Sequence, residues 1–160
     1  MLDNILMSRI NIIGGGLSGS EAAYYLLKKG YEVHLYEKRF VSSTLAHHTS
    51  LFGELVCSNS LKSNRLDNAC GLLKEEMRNL DSLTMKVAET TKVPSGNALS
   101  VDRDSFAQEI TNILLSFPNL VIHKEDVKDI PEGITLIATG PLTSDALADK
   151  LSKTIGQDNL

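Results

Sequence analysis

Two groups of residues have types and spacing that could do chemistry. The first is Gly14-Gly15-Gly16-Leu17-Ser18-Gly19, followed about 20 residues on by the acid Glu37 and then Lys38. In a dinucleotide site of this pattern each glycine has its own task. Gly14 permits a tight turn, Gly16 leaves space for a pyrophosphate to approach the backbone, and Gly19 lets a helix pack close to a strand. The free N–H groups and positive dipole of a helix starting here would face the phosphates. Glu37 would accept hydrogen bonds from a ribose. The second group is Cys57 with Ser58, Asn59 and Ser60 directly after it, a thiol among hydrogen-bonding neighbours. His47 and His48 have no third ligand at a credible spacing, so no metal site is expected.

The elements that must position these residues can be read from periodicity. Arg9–Ile13 reads as a buried strand, Ser20–Lys29 as a helix closed by a left-handed Gly30, and Glu32–Tyr36 as a second strand. Strand, glycine turn, helix, strand and acid form the context that gives the glycine motif its meaning. Residues 38–68 show no clean period and form a long polar excursion, which in a compact domain is usually functional. From Ala69 a helix or helix pair is expected, its buried stripe being Ala69, Leu73, Met77, Leu80, Thr84 and Val87. Lys74, Glu75, Arg78 and Asp81 lie away from that stripe, and Cys70 is read as structural. Lys62, Arg65, Lys74 and Arg78 are candidates for phosphate contacts or for an ordinary solvated face.

Ala98–Val101 reads as a short strand, and Asp102 as the cap of a helix burying Phe106, Ile110, Ile113, Leu114 and Phe117. Leu120–His123 reads as a strand and Val127–Ile130 as a weaker one. Ile134–Ile137 is a buried strand running into Ala138-Thr139-Gly140, and Ser144–Thr154 is a last helix with Thr143 as its cap. The strand at 134–137 should lie parallel to the one at 9–13, which puts the Ala-Thr-Gly turn at the same sheet edge as the glycine turn.

The 160 residues are 42% apolar and 22% charged with a net charge of −4. That is ordinary for a globular protein, and it argues against a nucleic-acid surface spread over the whole chain. Two cysteines without metal spacing suggest free thiols in a reducing cytoplasm. The first residues lack the basic start of a signal peptide, and no apolar run is long enough to span a membrane. Residues 1–8 read as an extension, with Met7 an alternative start, and 9–160 as one domain.

The glycine fingerprint followed much later by Ala138-Thr139-Gly140 resembles FAD-binding flavoproteins of the glutathione-reductase type, which favours FAD over NAD. More specific are Ala46-His47-His48-Thr49, the run Glu54-Leu55-Val56-Cys57-Ser58-Asn59-Ser60-Leu61-Lys62-Ser63-Asn64, and Gly71 to Arg78. Val93-Pro94-Ser95-Gly96, Val101-Asp102-Arg103 and Ile137 to Thr143 belong with them. Together they resemble the folate- and FAD-dependent tRNA uracil-5-methyltransferases of the TrmFO type, related to the GidA flavoproteins, over roughly Asn11 to Asn159.

The resemblance implies an α/β fold, a Rossmann-like FAD-binding domain whose parallel sheet is flanked by helices. It implies that methylenetetrahydrofolate donates a one-carbon unit to reduced flavin, which passes it to C5 of a uridine in tRNA or, alternatively, rRNA. NADH or NADPH would supply the reducing equivalents. By the same resemblance Cys57 is catalytic and close to the flavin, while His47, His48, Ser58, Asn59 and Ser60 line a substrate or flavin pocket. Backbone groups of Val127 would face the adenine, and Thr139 and Gly140 would help close the dinucleotide site. The chemistry also needs a thiolate to add at C6 of uracil before C5 becomes nucleophilic. The family carries a second cysteine much further along, so this chain matches an amino-terminal portion. Alone it is expected to be inactive without a downstream polypeptide. The alternatives are another FAD-dependent tRNA-modifying enzyme or oxidoreductase of the same fold, or a non-catalytic, truncated nucleotide-binding fragment.

Overall fold

A computed structural model describes residues 9–156. Its frame is a parallel sheet. β1 (Arg9–Ile13) pairs with β2 (Glu32–Tyr36), Ile12 opposite Leu35, across the helix α1 (Leu17–Lys28). A small antiparallel sheet interrupts the chain before the frame resumes. It consists of β3 (Ser60–Ser63), β4 (Lys92–Val93) and β5 (Ala98–Val101), in the order β3-β5-β4. Then β6 (Leu120–His123) and β7 (Ile134–Ile137) complete the first sheet in the order β6-β2-β1-β7, every pair parallel. The chain builds outward from β1 to one side and then returns to its other side. In open α/β sheets such a reversal opens a crevice at the carboxyl ends of the strands.

The two sheet faces differ. Ile12, Val33 and Leu35 point to the helical side, where they join Ala23 and Leu27 of α1. Phe106, Ile110 and Leu114 of α4 (Arg103–Leu115) belong to the same core. The other face carries Ile13 and Tyr36 under Val127 and Leu147, the latter from α5 (Asp145–Ile155). It also carries polar groups. Asn11, fully buried in mid-strand, donates from Nδ2 to the Glu132 carbonyl (3.0 Å) and to Thr135 Oγ1 (3.2 Å). His123 stacks on Tyr36 and shares a 2.8 Å hydrogen bond with His34.

α1 starts at Leu17, three residues before the expected Ser20, so Ser18 and Gly19 lie in its first turn. A Cβ on Gly19 would stand 1.8 Å from the Gly14 carbonyl, and only glycine lets the helix begin so close to the turn. Asp102 caps α4 as expected, accepting from the Ser105 N–H at 2.8 Å. The expected helix pair is α2 (Ala69–Asn79) and α3 (Leu83–Thr90). Glu21 on α1 fastens α3 in place. Its carboxylate accepts from the Leu83 and Thr84 N–H groups and from the Ser82 and Thr84 hydroxyls. It thus satisfies donors that a helix start leaves without intrahelical partners.

Four expectations are corrected. First, the buried stripe holds in α3, where Thr84 and Val87 are buried, but not in α2. There Leu73 and Leu80 are exposed, whereas Gly71 and Lys74 are buried. A Cβ on Gly71 would lie 1.9 Å from the Arg65 carbonyl, so that close approach selects the buried face. Lys74 Nζ then donates to the Ser63 and Cys70 carbonyls, and Cys70 itself is exposed. Second, Val127–Ile130 forms no strand; Val127 is buried from an irregular segment. Third, Ser144 rather than Thr143 occupies the cap position of α5, because the Thr143 hydroxyl donates to the Gly140 carbonyl instead. Fourth, the excursion has structure of its own, with a 3-10 turn at Lys38–Phe40 and the strand β3. The 1–8 extension and the last four positions of the expected domain lie outside the described residues. No helix among the described residues is long and apolar enough to cross a membrane.

Candidate functional site

β1 and β7 end side by side, and both run into turns that meet. Gly14 has φ +102°, a left-handed conformation that favours glycine. Its N–H donates to the Tyr36 carbonyl (2.8 Å), and a Cβ there would sit 2.7 Å from the Ala138 carbonyl. From the other side, Ala138 N–H donates to the Ile13 carbonyl (2.8 Å). At Gly16 the situation is reversed, since a Cβ would meet nothing within 4 Å. Gly16 is also the cap residue of α1, with no side-chain cap and no acid in the first turn. The helix start therefore presents its positive end to a cavity of about 240 Å³ between the two turns. Ser144, at the start of α5, lines the same cavity, and its Oγ is buried without a hydrogen-bond partner.

The acid wall comes from the end of β2. Glu37 Oε2 accepts from the Gly15 N–H (2.8 Å) and from Arg39 Nη2 (2.8 Å); Oε1 accepts from the Arg39 N–H (2.9 Å). Burial pushes this carboxyl up, but the Arg39 guanidinium and the two backbone donors outweigh it and hold it below the usual carboxylate range. Arg39 also donates to the Leu51 carbonyl (2.9 Å) and approaches Glu54 Oε2 at 3.5 Å. Glu54 is raised by burial and then lowered further by donors from the His48 N–H, the Thr49 hydroxyl and the Thr49 N–H. Phe52, between these groups, packs on Gly15, and its N–H donates to Thr111 Oγ1 (2.8 Å). The excursion is thus pinned to the glycine turn through residues 51–54.

The rim is polar. Lys38 Nζ reaches across to the Leu142 carbonyl (2.8 Å), linking the acid side to the turn after β7. Thr139 Oγ1 lies 2.5 Å from Thr143 Oγ1. His47 shares a 2.7 Å hydrogen bond with Thr44. Its imidazole is held below the usual histidine value, first by burial and then by the charge of Arg39.

Gly14, Gly15, Gly16, Leu17, Ser18, Glu37, Lys38, His47, Val127, Thr139 and Gly140 all line this one cavity. Gly19 lies behind it as a packing residue, and His48 is not part of its lining, though its backbone N–H donates to Glu54 Oε1 (2.8 Å). Cys57, Ser58 and Asn59 line a separate polar groove with Asp102, Arg103 and Asp104, and Cys57 is exposed. The boundary falls between adjacent residues, for Val56 lines the cavity and Cys57 the groove. Asn59 is bound to β5, its Nδ2 donating to the Val101 carbonyl (3.2 Å), while Ser60 begins β3. Sequence reasoning missed Arg39, Thr44, Glu54 and Ser144. No period marks Arg39, which lies in the 3-10 turn capped by Glu37 rather than in a strand.

Comparison with known proteins places these features in company. The family described as Glucose inhibited division protein A matches residues 9–159. The chain is 55% identical over 156 residues to the methylenetetrahydrofolate--tRNA-(uracil-5-)-methyltransferase TrmFO of Lactobacillus johnsonii, covering 97% of this chain and 36% of that protein. To the protein of the same name from Desulfitobacterium hafniense it is 57% identical over 155 residues, covering 96% and 36%. The chain therefore spans about a third of the length of the curated relatives it matches. Among solved structures it is similar to the GidA-related protein from Thermus thermophilus, with 17% identity and a TM-score of 0.36 over 74% of this chain and 38% of that one. The tetrameric form of 2-methyl-3-hydroxypyridine-5-carboxylic acid oxygenase gives 17% identity and a TM-score of 0.47 over 79% and 34%.

Proposed function

The chain belongs to the Glucose inhibited division protein A family, and from that membership we propose that it is the FAD-binding amino-terminal part of a methylenetetrahydrofolate-dependent tRNA uracil-5-methyltransferase. The observation that carries the reading is the open space at Gly16, at the uncapped start of α1, facing the turn after β7. A Cβ would fill that space, and a pyrophosphate needs it. Together with an anionic wall at Glu37 for ribose hydroxyls, the residues present fit an adenine dinucleotide.

When bound, FAD would supply the carrier chemistry between folate and uridine. The chain's own residues would do the holding. The backbone from Gly14 to Ser18 would donate to the phosphates, and Glu37 would accept from the ribose. Val127 would border the adenine, and Thr139 and Gly140 would close the far side. Lys38 would keep the two turns together through its bond to Leu142. His47, whose charged form is disfavoured, would line the cavity as a neutral ring. Cys57, His48, Ser58, Asn59 and Ser60 would serve the flavin end and the uridine, with Cys57 the thiol of the reaction. NADH or NADPH, methylenetetrahydrofolate and tRNA would be the co-substrates, and the cytoplasm the setting.

A second reading, a nucleotide-binding piece without turnover of its own, draws support from the separation of Cys57 from the cavity. One experiment addresses both. The purified chain is titrated with FAD and followed by flavin absorbance and fluorescence. It is then incubated with FAD, methylenetetrahydrofolate, NADH or NADPH and unmodified tRNA, and 5-methyluridine is measured by mass spectrometry. The expected result is flavin binding without product. Absence of flavin binding removes the cofactor assignment. Product that disappears in Cys57→Ala removes the second reading.

A further inference from the structure

The Arg39 side chain is 3% exposed and stands between two carboxylates, Glu37 at 2.8 Å and Glu54 at 3.5 Å. A buried charge cluster of this kind is costly unless its donors are used and held in fixed geometry. Here they are used. Besides Glu37, Nη2 reaches the Gly15 carbonyl (3.2 Å), and Nη1 reaches the Leu51 carbonyl (2.9 Å). A planar guanidinium can make such contacts in two directions at once, which an ammonium cannot. Arg39 therefore joins the glycine turn, the end of β2 and the 51–54 segment through one rigid group.

This has a consequence for Glu37. A carboxylate offers about four acceptor positions. Oε2 spends its two on the Gly15 N–H and on Arg39 Nη2, while Oε1 receives only the Arg39 N–H. The acid is clamped on three sides with one acceptor position left on Oε1, and Glu37 lines the cavity.

We propose that Arg39 is the positioning residue of this cavity: it fixes the carboxylate of Glu37 so that Oε1 accepts from a ribose hydroxyl of bound adenosine, and it thereby sets the preference for ribose over 2′-deoxyribose. This rests on reading the cavity as an adenine-dinucleotide site. Arg39 itself lines the cavity, and in this role it acts through Glu37. Its loss should therefore reduce the discrimination between two sugars, whereas mere loosening of the fold would weaken both ligands alike.

The test is isothermal titration of the full chain with ADP and with 2′-deoxy-ADP, in the parent, Arg39→Met and Arg39→Lys, with FAD as a reference ligand. For the parent, ADP should bind about tenfold more tightly than 2′-deoxy-ADP, the size of one hydrogen bond to a charged group. In Arg39→Met the ratio should fall below about threefold, largely through weaker ADP binding, as a misaligned acceptor implies. Arg39→Lys keeps a cation without the fork and should lie between. A parent-like ratio in Arg39→Met overturns the proposal. Should that variant not fold by circular dichroism, a parent-like ratio in Arg39→Lys overturns it equally. A parent that binds neither FAD nor ADP overturns the cavity reading itself, a distinct result.

Discussion

The glycine cavity and the Cys57 groove lie on either side of one peptide bond, between Val56 and Cys57, yet they are built on opposite plans. The cavity is made mainly of backbone, held by the close packing of Gly14, Gly15 and Gly19 and by the buried Arg39 side chain with two buried acids. The groove is made of exposed side chains on short strands and a helix start, with the thiol open to solvent. The first is shaped before any ligand arrives. The second has an exposed thiol and no enclosure around it. The shape of the cavity is a property of the fold, whereas the surroundings of the thiol depend on what is brought to it.

The strongest way to break that contrast is to fill the cavity from within. Gly16→Val places a branched side chain in the open space, and FAD affinity should fall on the order of 100-fold or more. Cys57→Ser should leave affinity within about twofold, as expected of a change at an exposed position. Equal losses in the two variants, read by flavin fluorescence titration, would erase the distinction.

Next in size is the scaffold of the cavity. Glu21→Ala leaves the start of α3 without its four donors' acceptor, and about 2–3 kcal/mol of stability should go with it in urea unfolding. A cost under about 0.5 kcal/mol, the range of ordinary surface changes, would show that α3 is held against α1 by apolar packing alone.

A finer test asks how far a ligand in the cavity extends. In a Cys70→Ser background, ADP should leave the rate of Cys57 alkylation unchanged, and FAD, with its longer reach, should slow it severalfold. Protection by ADP would merge the two regions; protection by neither would separate them for good.

The smallest effect expected concerns pH. His123 is held below the usual histidine value by burial, then by His34 and Arg9, with Glu125 opposing. A folded-state value below the unfolded one means that the unfolded chain binds more protons, so stability is full above about pH 6.5 and declines as pH falls below it. Glu37 adds a later loss of the same sign, as pH falls through its depressed value. Between pH 7.5 and 5.5 the melting temperature should drop about 2–4 °C for each kcal/mol involved. His123→Phe, which retains a ring to stack on Tyr36, should flatten the decline. An unchanged slope in that variant would assign it to other groups.

Much of the cavity was legible because its signals are local. Alternating apolar residues mark β1 and β2, and glycines at fixed spacing mark the turn between them. The parallel placement of β7 and its turn followed from the same rule. What escaped detection depends on distant neighbours. The leucines of α2 recur at helical spacing, but the approach of Gly71 to the Arg65 carbonyl decides which side faces inward. Of the small sheet, β5 was legible as Ala98–Val101, whereas β3 and β4 escaped because they are short and offer little apolar pattern. Its β3 is further disguised by Lys62 at φ +70° within a register shift. The true start of α1 is hidden because glycine and serine are poor helix formers. Buried arginine is rare enough that Arg39 looks like a surface residue until Glu54 and Leu51 fold over it.

Asn11 gives the sheet a timetable as well as a shape. β1 meets β2 early, but its other edge waits for β7, with Ile10 opposite Ile134. At about 5–20 residues per second of synthesis, that wait is roughly 6–25 s. During it, β1 presents an unpaired apolar edge, which is the kind of surface that pairs wrongly. The amide of Asn11 is satisfied only when Glu132 and Thr135 arrive in this register. Any strand docked out of step leaves its Nδ2 group buried without acceptors, a penalty of about 1–3 kcal/mol. A buried amide of modest worth to the finished fold would thus act as a proofreader of its assembly. Asn11→Val should accordingly refold with a lower yield of soluble chain than its equilibrium stability implies, and a yield matching the parent would dismiss that role.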